Sequence, residues 1–205
     1  MTSLPVDQMT GLILAGGRGV RVGGVDKGLL SFNDEKIVQR VLRSLKPQAQ
    51  LILVSANRHI EEYESLGVPV IKDRLPDYQG PLAGIEAALS VCPTPYMALV
   101  PCDAPFISEN LLALLYEKME STNANIVYAE GLSPEGQLEA EPMFALIRTC
   151  MLSSLRQYLD SGRRKVLAWY QSTDHAGVLI ENSLCFANAN TPEDFESLQL
   201  QAKNA

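Results

Sequence analysis

The amino-acid sequence predicts an α/β fold in three layers, in which a mostly parallel sheet lies between two layers of helices. Short, nearly continuous apolar runs alternate along the chain with segments whose apolar residues recur every three or four positions. This order of strand and helix is typical of sheets built by right-handed crossovers. Ligands of such sheets bind at the carboxyl ends of the strands, so the residues just after each strand are the first candidates for a site.

The first half of the chain shows the most regular alternation. Four short apolar runs are predicted to be buried parallel strands: residues 11–16, 51–56, 68–73 and 96–103. The predicted helices between them are residues 35–45, 60–67 and 81–91. Gly67 is expected to end the second helix, because a glycine commonly follows the last helical residue. Ser108 is expected to cap the next helix, with Glu109 in its first turn.

The second half of the chain is less regular. Residues 124–130 and 141–147 are predicted strands on either side of a polar loop, followed by a helix at about 149–161. A pair of strands is expected near 177–187, and Thr191 is expected to cap the last helix. The chain has no internal repeat or linker, so residues 1–205 are predicted to form one domain, with halves at about 8–107 and 108–205.

Composition and charge restrict the class of protein. A chain of 205 residues with 46% hydrophobic and 20% charged residues is ordinary for a folded soluble domain. The net charge of −7 argues against nucleic acid as a partner, and no apolar run is long enough to span a membrane. The N-terminal residues show neither a basic nor an apolar signal region, so a cytoplasmic protein is expected. The four cysteines lie far apart, without zinc spacing.

The segment "GLILAGGRGVRVGGVDKG", residues 11–28, predicts an anion-binding loop. It is neither a Rossmann fingerprint, since Val22 stands at the last glycine position, nor a P-loop, since Lys27 lies between aspartate and glycine. Its glycines let backbone N–H groups approach phosphate oxygens, and Arg21 and Lys27 supply positive charge. A triphosphate is the expected ligand, and a glycine-rich turn without a ligand is the alternative.

Two aspartates are expected to share the same edge of the sheet. Asp73 follows the third predicted strand and Asp103 follows the fourth. Either carboxylate could merely accept hydrogen bonds in a turn. A single carboxylate at a strand end also suits Mg²⁺, which takes one or two carboxylates and completes its shell with phosphates and water.

The loop "LAGGRGVRVGGVDKG" resembles that of the molybdenum cofactor guanylyltransferases. Further segments that resemble this family follow in order, and together they cover nearly the whole chain: "SANRH" (55–59), "IKDRLPDYQGPLAGI" (71–85), "VPCDAPFI" (100–107), "SGRRKV" (161–166) and "FANANTPED" (186–194). The resemblance implies a three-layer, Rossmann-like nucleotidyltransferase fold. It also implies transfer of GMP from GTP to Mo-molybdopterin, with release of pyrophosphate. Transient contacts with molybdenum-insertion and molybdoenzyme maturation proteins are then expected.

The resemblance implies a role for each matching residue. The residues implied to bind the nucleotide are Leu14, Ala15, Gly16, Gly17, Lys27, Ser55, Asp73, Gly80, Pro81, Leu82 and Asp103. Asp103 is implied to hold Mg²⁺, and Arg21, Lys27 and Asp103 are the expected catalytic residues. The residues implied on the pterin side are Asn188, Asn190, Arg163 and Arg164, the two arginines being equally compatible with a solvated surface turn.

Two departures from the family pattern affect the predicted site. Ser55 replaces an asparagine of the nucleotide site, so its contact would pass through water or be taken over by Asn57. Glu141 replaces a histidine on the substrate side.

Gly17 leaves room for a purine, whereas relatives that transfer CMP tend to carry alanine there, so GTP is the expected nucleotide. The alternatives are a cytidylyltransferase, a sugar-phosphate nucleotidyltransferase and a nucleotide-binding accessory protein.

Overall fold

The computed structural model describes residues 3–15, 26–32, 35–74, 80–188 and 191–204. The strands in chain order are β1 (Met9–Leu14), β2 (Ser31–Phe32), β3 (Glu35–Lys36), β4 (Leu51–Ser55), β5 (Val70–Ile71), β6 (Tyr96–Pro101), β7 (Ile126–Leu132), β8 (Leu138–Arg148) and β9 (His175–Leu179). The helices are α1 (Ile37–Leu45), α2 (Ile60–Glu64), α3 (Pro81–Leu89), α4 (Leu111–Thr122), α5 (Leu152–Asp160), α6 (Val166–Tyr170) and α7 (Pro192–Asn204).

Within these described ranges, seven strands form one sheet in the order β5-β4-β1-β6-β8-β7-β9. Strand β1 is parallel to both β4 and β6, and β4 is parallel to β5. Strand β8 is antiparallel to β6 and β7, whereas β9 is parallel to β7. The predicted mostly parallel sheet is confirmed, and the carboxyl ends of β1, β4, β5 and β6 lie at one edge.

The sheet separates two hydrophobic layers. Buried residues of α1 and α4 pack against one face, and those of α3, α5 and α6 pack against the other. Strand β1 shows how the sequence produces this arrangement, because Met9 and Ile13 join the first cluster while Leu12 joins the second. Successive side chains of a strand point to opposite faces, so an apolar run without polar interruption must be covered on both sides.

Helix α4 begins later than the sequence predicts. The prediction that Ser108 caps it is wrong, since the cap position is Asn110, which makes no capping hydrogen bond with its side chain. The buried amide of Gln48 reaches α4 instead: its Oε1 accepts from the Leu112 N–H at 3.0 Å, and its Nε2 donates to the Ser108 carbonyl at 3.1 Å. A residue 64 positions away in the chain therefore satisfies the helix terminus, which local sequence cannot reveal.

Several other boundaries differ from the predictions. Helix α2 ends at Glu64 with Ser65 at its cap position, so Gly67 does not directly follow its last residue as predicted. Strand β5 has only two residues, and the region 177–187 contains one strand, β9, followed by a 3₁₀ turn (Ser183–Phe186) rather than a pair of strands. Half of the polar loop predicted at 131–140 is strand, because β7 and β8 pair as far as Leu132 and Leu138. The cap of α7 is confirmed: the Asp194 N–H donates to Thr191 Oγ1 at 3.1 Å. None of the described helices is long and apolar enough to cross a membrane.

Candidate nucleotide-binding site

Backbone hydrogen bonds join the strand ends that carry the predicted site. The Ala15 N–H donates to the Ser55 carbonyl at 2.8 Å, and the Cys102 N–H donates to the Leu14 carbonyl at 3.0 Å. These bonds continue the β4–β1–β6 ladder beyond the ends of the strands. The main chain at Leu14 and Ala15, the start of the glycine-rich loop, is therefore held next to the segment that leads into Asp103.

Lys27 and Asp103 face each other at this edge. The Lys27 Nζ lies 3.5 Å from Asp103 Oδ2, with side-chain exposures of 36% and 16%. The sequence separation of 76 residues shows that the fold, not the local chain, brings them together. At 3.5 Å the pair is long for a charge-assisted hydrogen bond. Both groups can consequently turn to a ligand: the ammonium to a phosphate oxygen, and the carboxylate to a cation.

A buried network lies under Lys27. The Asp26 Oδ1 accepts from the Gly28 N–H at 3.2 Å and from the Tyr63 hydroxyl at 2.7 Å, and so caps the 3₁₀ turn Lys27–Leu29. A Cβ at Gly28 would lie only 2.9 Å from the Tyr63 oxygen and 3.0 Å from Cys102 Sγ. Burial raises the pKa values of the Tyr63 hydroxyl and the Cys102 thiol, so both stay protonated at neutral pH. Nothing in the sequence pattern marks Tyr63 as part of the site, because it occupies an ordinary apolar position of α2.

Asn57 orients Asp73 through two hydrogen bonds. Its Nδ2 donates to Asp73 Oδ2 at 2.8 Å, and its Oδ1 accepts from the Asp73 N–H at 3.0 Å. Burial raises the pKa of Asp73 above its ordinary value of 3.8, and the bond from Asn57 opposes this rise. The structure thus gives Asn57 a role beside Asp73, whereas the predicted nucleotide contact of Ser55 stays a prediction.

Neutralising Asp73 is expected to stabilise the protein at neutral pH. A raised folded-state pKa favours the protonated carboxyl, so the contribution of Asp73 to stability is present below about pH 3.8 and is lost as pH rises through the folded pKa. Asp73→Asn should therefore have the higher free energy of unfolding at pH 7, with a difference that shrinks towards acid pH. Urea unfolding between pH 4 and 7 measures this, with the exposed Asp160→Asn as control. A difference that grows on acidification would contradict the assignment.

The first turn of α3 approaches the same edge of the sheet. Gly80 has φ +81°, in the left-handed region that favours glycine, and Pro81 occupies the first helical position. The Leu82 side chain is fully buried in the core, so any contact of this residue with a nucleotide falls to its backbone N–H. Ser55 is also buried and packs against Gly84, whose missing Cβ allows the helix to lie this close.

Adding a methyl group at Gly84 is expected to destabilise the fold. The new Cβ would clash with Ser55 Oγ and lie 3.2 Å from Leu14 Cδ2, and both neighbours belong to strand ends that cannot move freely. Gly84→Ala should lower the free energy of unfolding by about 1–3 kcal/mol, and adding Ser55→Ala should recover part of this loss. Gly11→Ala is the matched control in urea unfolding, because its Cβ meets no atom closer than 3.5 Å. Equal stability of the two single variants would contradict the account.

The residues predicted on the pterin side make local contacts. The Arg163 guanidinium lies 4.3 Å from the centre of the Tyr158 ring, and Arg164 Nη1 donates to the Leu159 carbonyl at 2.7 Å. Asn188 is exposed after the 3₁₀ turn that follows β9. Burial and nearby Glu139 raise the pKa of Glu141. The pterin roles stay predictions, and the roles of Gly16, Gly17, Arg21 and Asn190 fall outside the described residues.

The Asp103 carboxylate could serve as one protein ligand of a magnesium ion whose other ligands come from substrate phosphates and water. Among the described residues, no group of three or more His, Cys, Asp or Glu side chains could hold a metal by itself. The partly exposed Asp103 carboxylate offers a hard oxygen ligand next to a lysine. This donor set suits Mg²⁺, which commonly takes one or two carboxylates together with substrate phosphates and water.

The architecture is that of the nucleotidyltransferase fold. It superposes on the crystal structure of molybdopterin-guanine dinucleotide biosynthesis protein A from Archaeoglobus fulgidus with a TM-score of 0.74. The match covers 96% of this chain and 100% of that chain, at 22% sequence identity, and shows that the two proteins share the fold.

Sequence comparison identifies the family. Residues 11–176 match the model of the MobA-like NTP transferase domain. The chain is 43% identical to a molybdenum cofactor guanylyltransferase of Ralstonia pickettii (strain 12J), over 95% of this chain and 98% of that protein. It is also 43% identical to the Bordetella petrii protein of the same name, over 93% and 96% of the two chains. The chain therefore belongs to the molybdenum cofactor guanylyltransferase family of MobA-like NTP transferases.

Proposed function

We propose that this protein transfers GMP from GTP to the phosphate of Mo-molybdopterin, forming the guanine dinucleotide cofactor and releasing pyrophosphate. The observation that carries the proposal is the pair of Lys27 and Asp103, held 3.5 Å apart at the carboxyl edge of the sheet. Family membership supports the same reaction, since the curated relatives named above are guanylyltransferases.

The reaction forms one bond and breaks one bond at the α-phosphorus of GTP. A phosphate oxygen of Mo-molybdopterin attacks, and the bond from the α-phosphorus to the bridging oxygen of the β-phosphate breaks, so the electron pair leaves with pyrophosphate. A phosphate monoester has a second pKa of about 6 and is mostly dianionic at neutral pH. The attack thus needs no general base, and catalysis comes from positioning and from charge stabilisation.

Each described residue of the site has a role in this proposal. Lys27 would stabilise the negative charge that develops on the pyrophosphate leaving group, and the main chain at Leu14 and Ala15 would contact the nucleotide. Asp103 would hold Mg²⁺, which when bound neutralises phosphate charge and orients the leaving group. The Asn57–Asp73 pair and the first turn of α3, with Gly80 and the Leu82 N–H, would bind the nucleoside end.

The surroundings of the reaction belong to the same proposal. Mo-molybdopterin would be bound by residues of the second half of the chain, where Asn188, Arg163 and Arg164 are the candidate contacts. Delivery of the pterin and acceptance of the product would involve the molybdenum-insertion and maturation proteins expected from the sequence. A cytoplasmic location stays a prediction.

A thermal-shift titration with GTP, CTP, ATP and UTP, each with and without Mg²⁺, tests the nucleotide part of the proposal. A ligand that binds only the folded state stabilises it by about 2.7 kcal/mol at a hundredfold excess over Kd, so moderate affinity is visible. We expect the largest rise in melting temperature with GTP and Mg²⁺. A larger rise with CTP would change the transferred nucleotide, and no rise with any nucleotide would contradict the proposal.

A further inference from the structure

We propose that Tyr63 is a positioning residue for nucleotide binding, whose hydroxyl fixes Asp26 and thereby aims Lys27 at the triphosphate. The inference rests on the function proposed above, because it needs Lys27 to bind phosphate. Its geometric basis is the buried chain of contacts from Tyr63 through Asp26 to the turn that carries Lys27.

The first step is the bond between Tyr63 and Asp26. The hydroxyl donates to Asp26 Oδ1 at 2.7 Å, and the tyrosine side chain is completely buried. A hydrogen bond from a buried donor to a carboxylate is among the stronger ones in proteins. Tyr63, on helix α2, is 37 residues from Asp26 in the chain, so this hydrogen bond connects two separate segments.

The second step is the link from Asp26 to Lys27. The same Oδ1 accepts from the Gly28 N–H at 3.2 Å, and this bond caps the single 3₁₀ turn Lys27–Leu29. A three-residue turn has little stability of its own, so its orientation depends on the cap. Lys27 lies between the two bonded residues, Asp26 and Gly28, so the hydrogen bond also fixes the direction in which its side chain leaves the backbone.

The third step is the tight contact behind the turn. Gly28 lies against Tyr63 and Cys102, where even a Cβ would be only 2.9–3.0 Å from their atoms. Cys102 directly precedes Asp103, the residue that Lys27 contacts, so the packing behind Gly28 and the Lys27–Asp103 pair share one segment of chain. Because the Tyr63 side chain is completely buried, it does not reach a ligand itself, and its proposed effect passes through Lys27.

The test removes the hydroxyl with Tyr63→Phe, and calorimetry compares binding of GTP with binding of guanosine. GTP binding should weaken by about tenfold, as for a lost hydrogen bond to a charged group, while guanosine binding stays as in the unsubstituted protein. In the Lys27→Ala background, Tyr63→Phe should cause no further loss of GTP binding, since the two effects share one route.

Tyr170→Phe is the matched control. Tyr170 is also fully buried, and its hydroxyl donates to the Pro142 carbonyl at 3.0 Å in another part of the fold. It should lose stability as Tyr63→Phe does, yet bind GTP normally. Asp26→Ala provides an independent variant that leaves the tyrosine in place, and it should weaken GTP binding in the same selective way.

Three results would overturn the inference: unchanged GTP binding by Tyr63→Phe, an equal loss for GTP and guanosine, or an undiminished loss in the Lys27→Ala background. If Lys27→Ala itself binds GTP normally, the proposed phosphate role of Lys27 falls and this inference falls with it. If Lys27→Ala weakens GTP binding and Tyr63→Phe does not, only the role of Tyr63 is wrong.

Discussion

Lys27→Ala is expected to weaken GTP binding by about a hundredfold while guanosine binding stays unchanged. The substitution removes the ammonium group that lies 3.5 Å from Asp103 and that we propose to bind the triphosphate. Charge-assisted hydrogen bonds contribute about 1.5–3 kcal/mol, which corresponds to about a tenfold to hundredfold change in affinity. Calorimetric titration with GTP and guanosine measures the two affinities under the same conditions.

Lys46→Ala serves as control for this prediction, because Lys46 is exposed just after α1 and the substitution changes the net charge equally. Its GTP affinity should match that of the unsubstituted protein. Parallel losses of GTP and guanosine affinity in Lys27→Ala would indicate a general disturbance of the site and would contradict a phosphate role for this lysine.

Asp103→Asn is expected to lower GMP transfer by about a hundredfold or more with little change in folding. The amide has the size of the carboxylate, and the side chain is partly exposed and makes a 3.5 Å contact with Lys27. What is lost is the negative charge that we propose to hold Mg²⁺, a hard cation that binds anionic oxygen far better than an amide. Pyrophosphate release, measured over a range of Mg²⁺ concentrations, should show a higher metal requirement in the variant.

The exposed Asp7→Asn, in the 3₁₀ turn before β1, controls for the change in net charge and should transfer GMP normally. A melting temperature for Asp103→Asn close to that of the unsubstituted protein would show that the fold is intact. Normal transfer at the same Mg²⁺ requirement would remove Asp103 from the metal site.

The parts of the fold that the sequence predicts well are those set by local pattern. Strands β1, β4 and β6 appear in the sequence as nearly continuous apolar runs, because both of their faces are covered. Strand β5 has two residues, and among the described strands β9 pairs with β7 alone at the edge of the sheet, so local sequence defines the ends of neither strand. The predicted cap of α4 is wrong because Gln48, from a distant segment, accepts the hydrogen bond from the first turn of the helix.

The candidate site divides in the same way. Lys27, Asp73 and Asp103 could be found from the sequence, since each follows a strand or a glycine-rich loop at an expected place. Their individual roles came from resemblance to a family, not from spacing. The role of Tyr63 and the pairing of Asn57 with Asp73 could not be predicted. Each depends on a side-chain contact between residues 37 and 16 positions apart, respectively, which no local pattern encodes.

Guanylyl transfer to the pterin is best tested by measuring formation of the dinucleotide product. The purified protein would be incubated with Mo-molybdopterin, Mg²⁺ and either GTP or CTP labelled at the α-phosphate, and the label in the dinucleotide and the released pyrophosphate would be quantified. We predict label in the dinucleotide with GTP, in equal amount to pyrophosphate, and little with CTP. Absence of labelled dinucleotide with GTP, from folded protein that binds the nucleotide, would contradict the account.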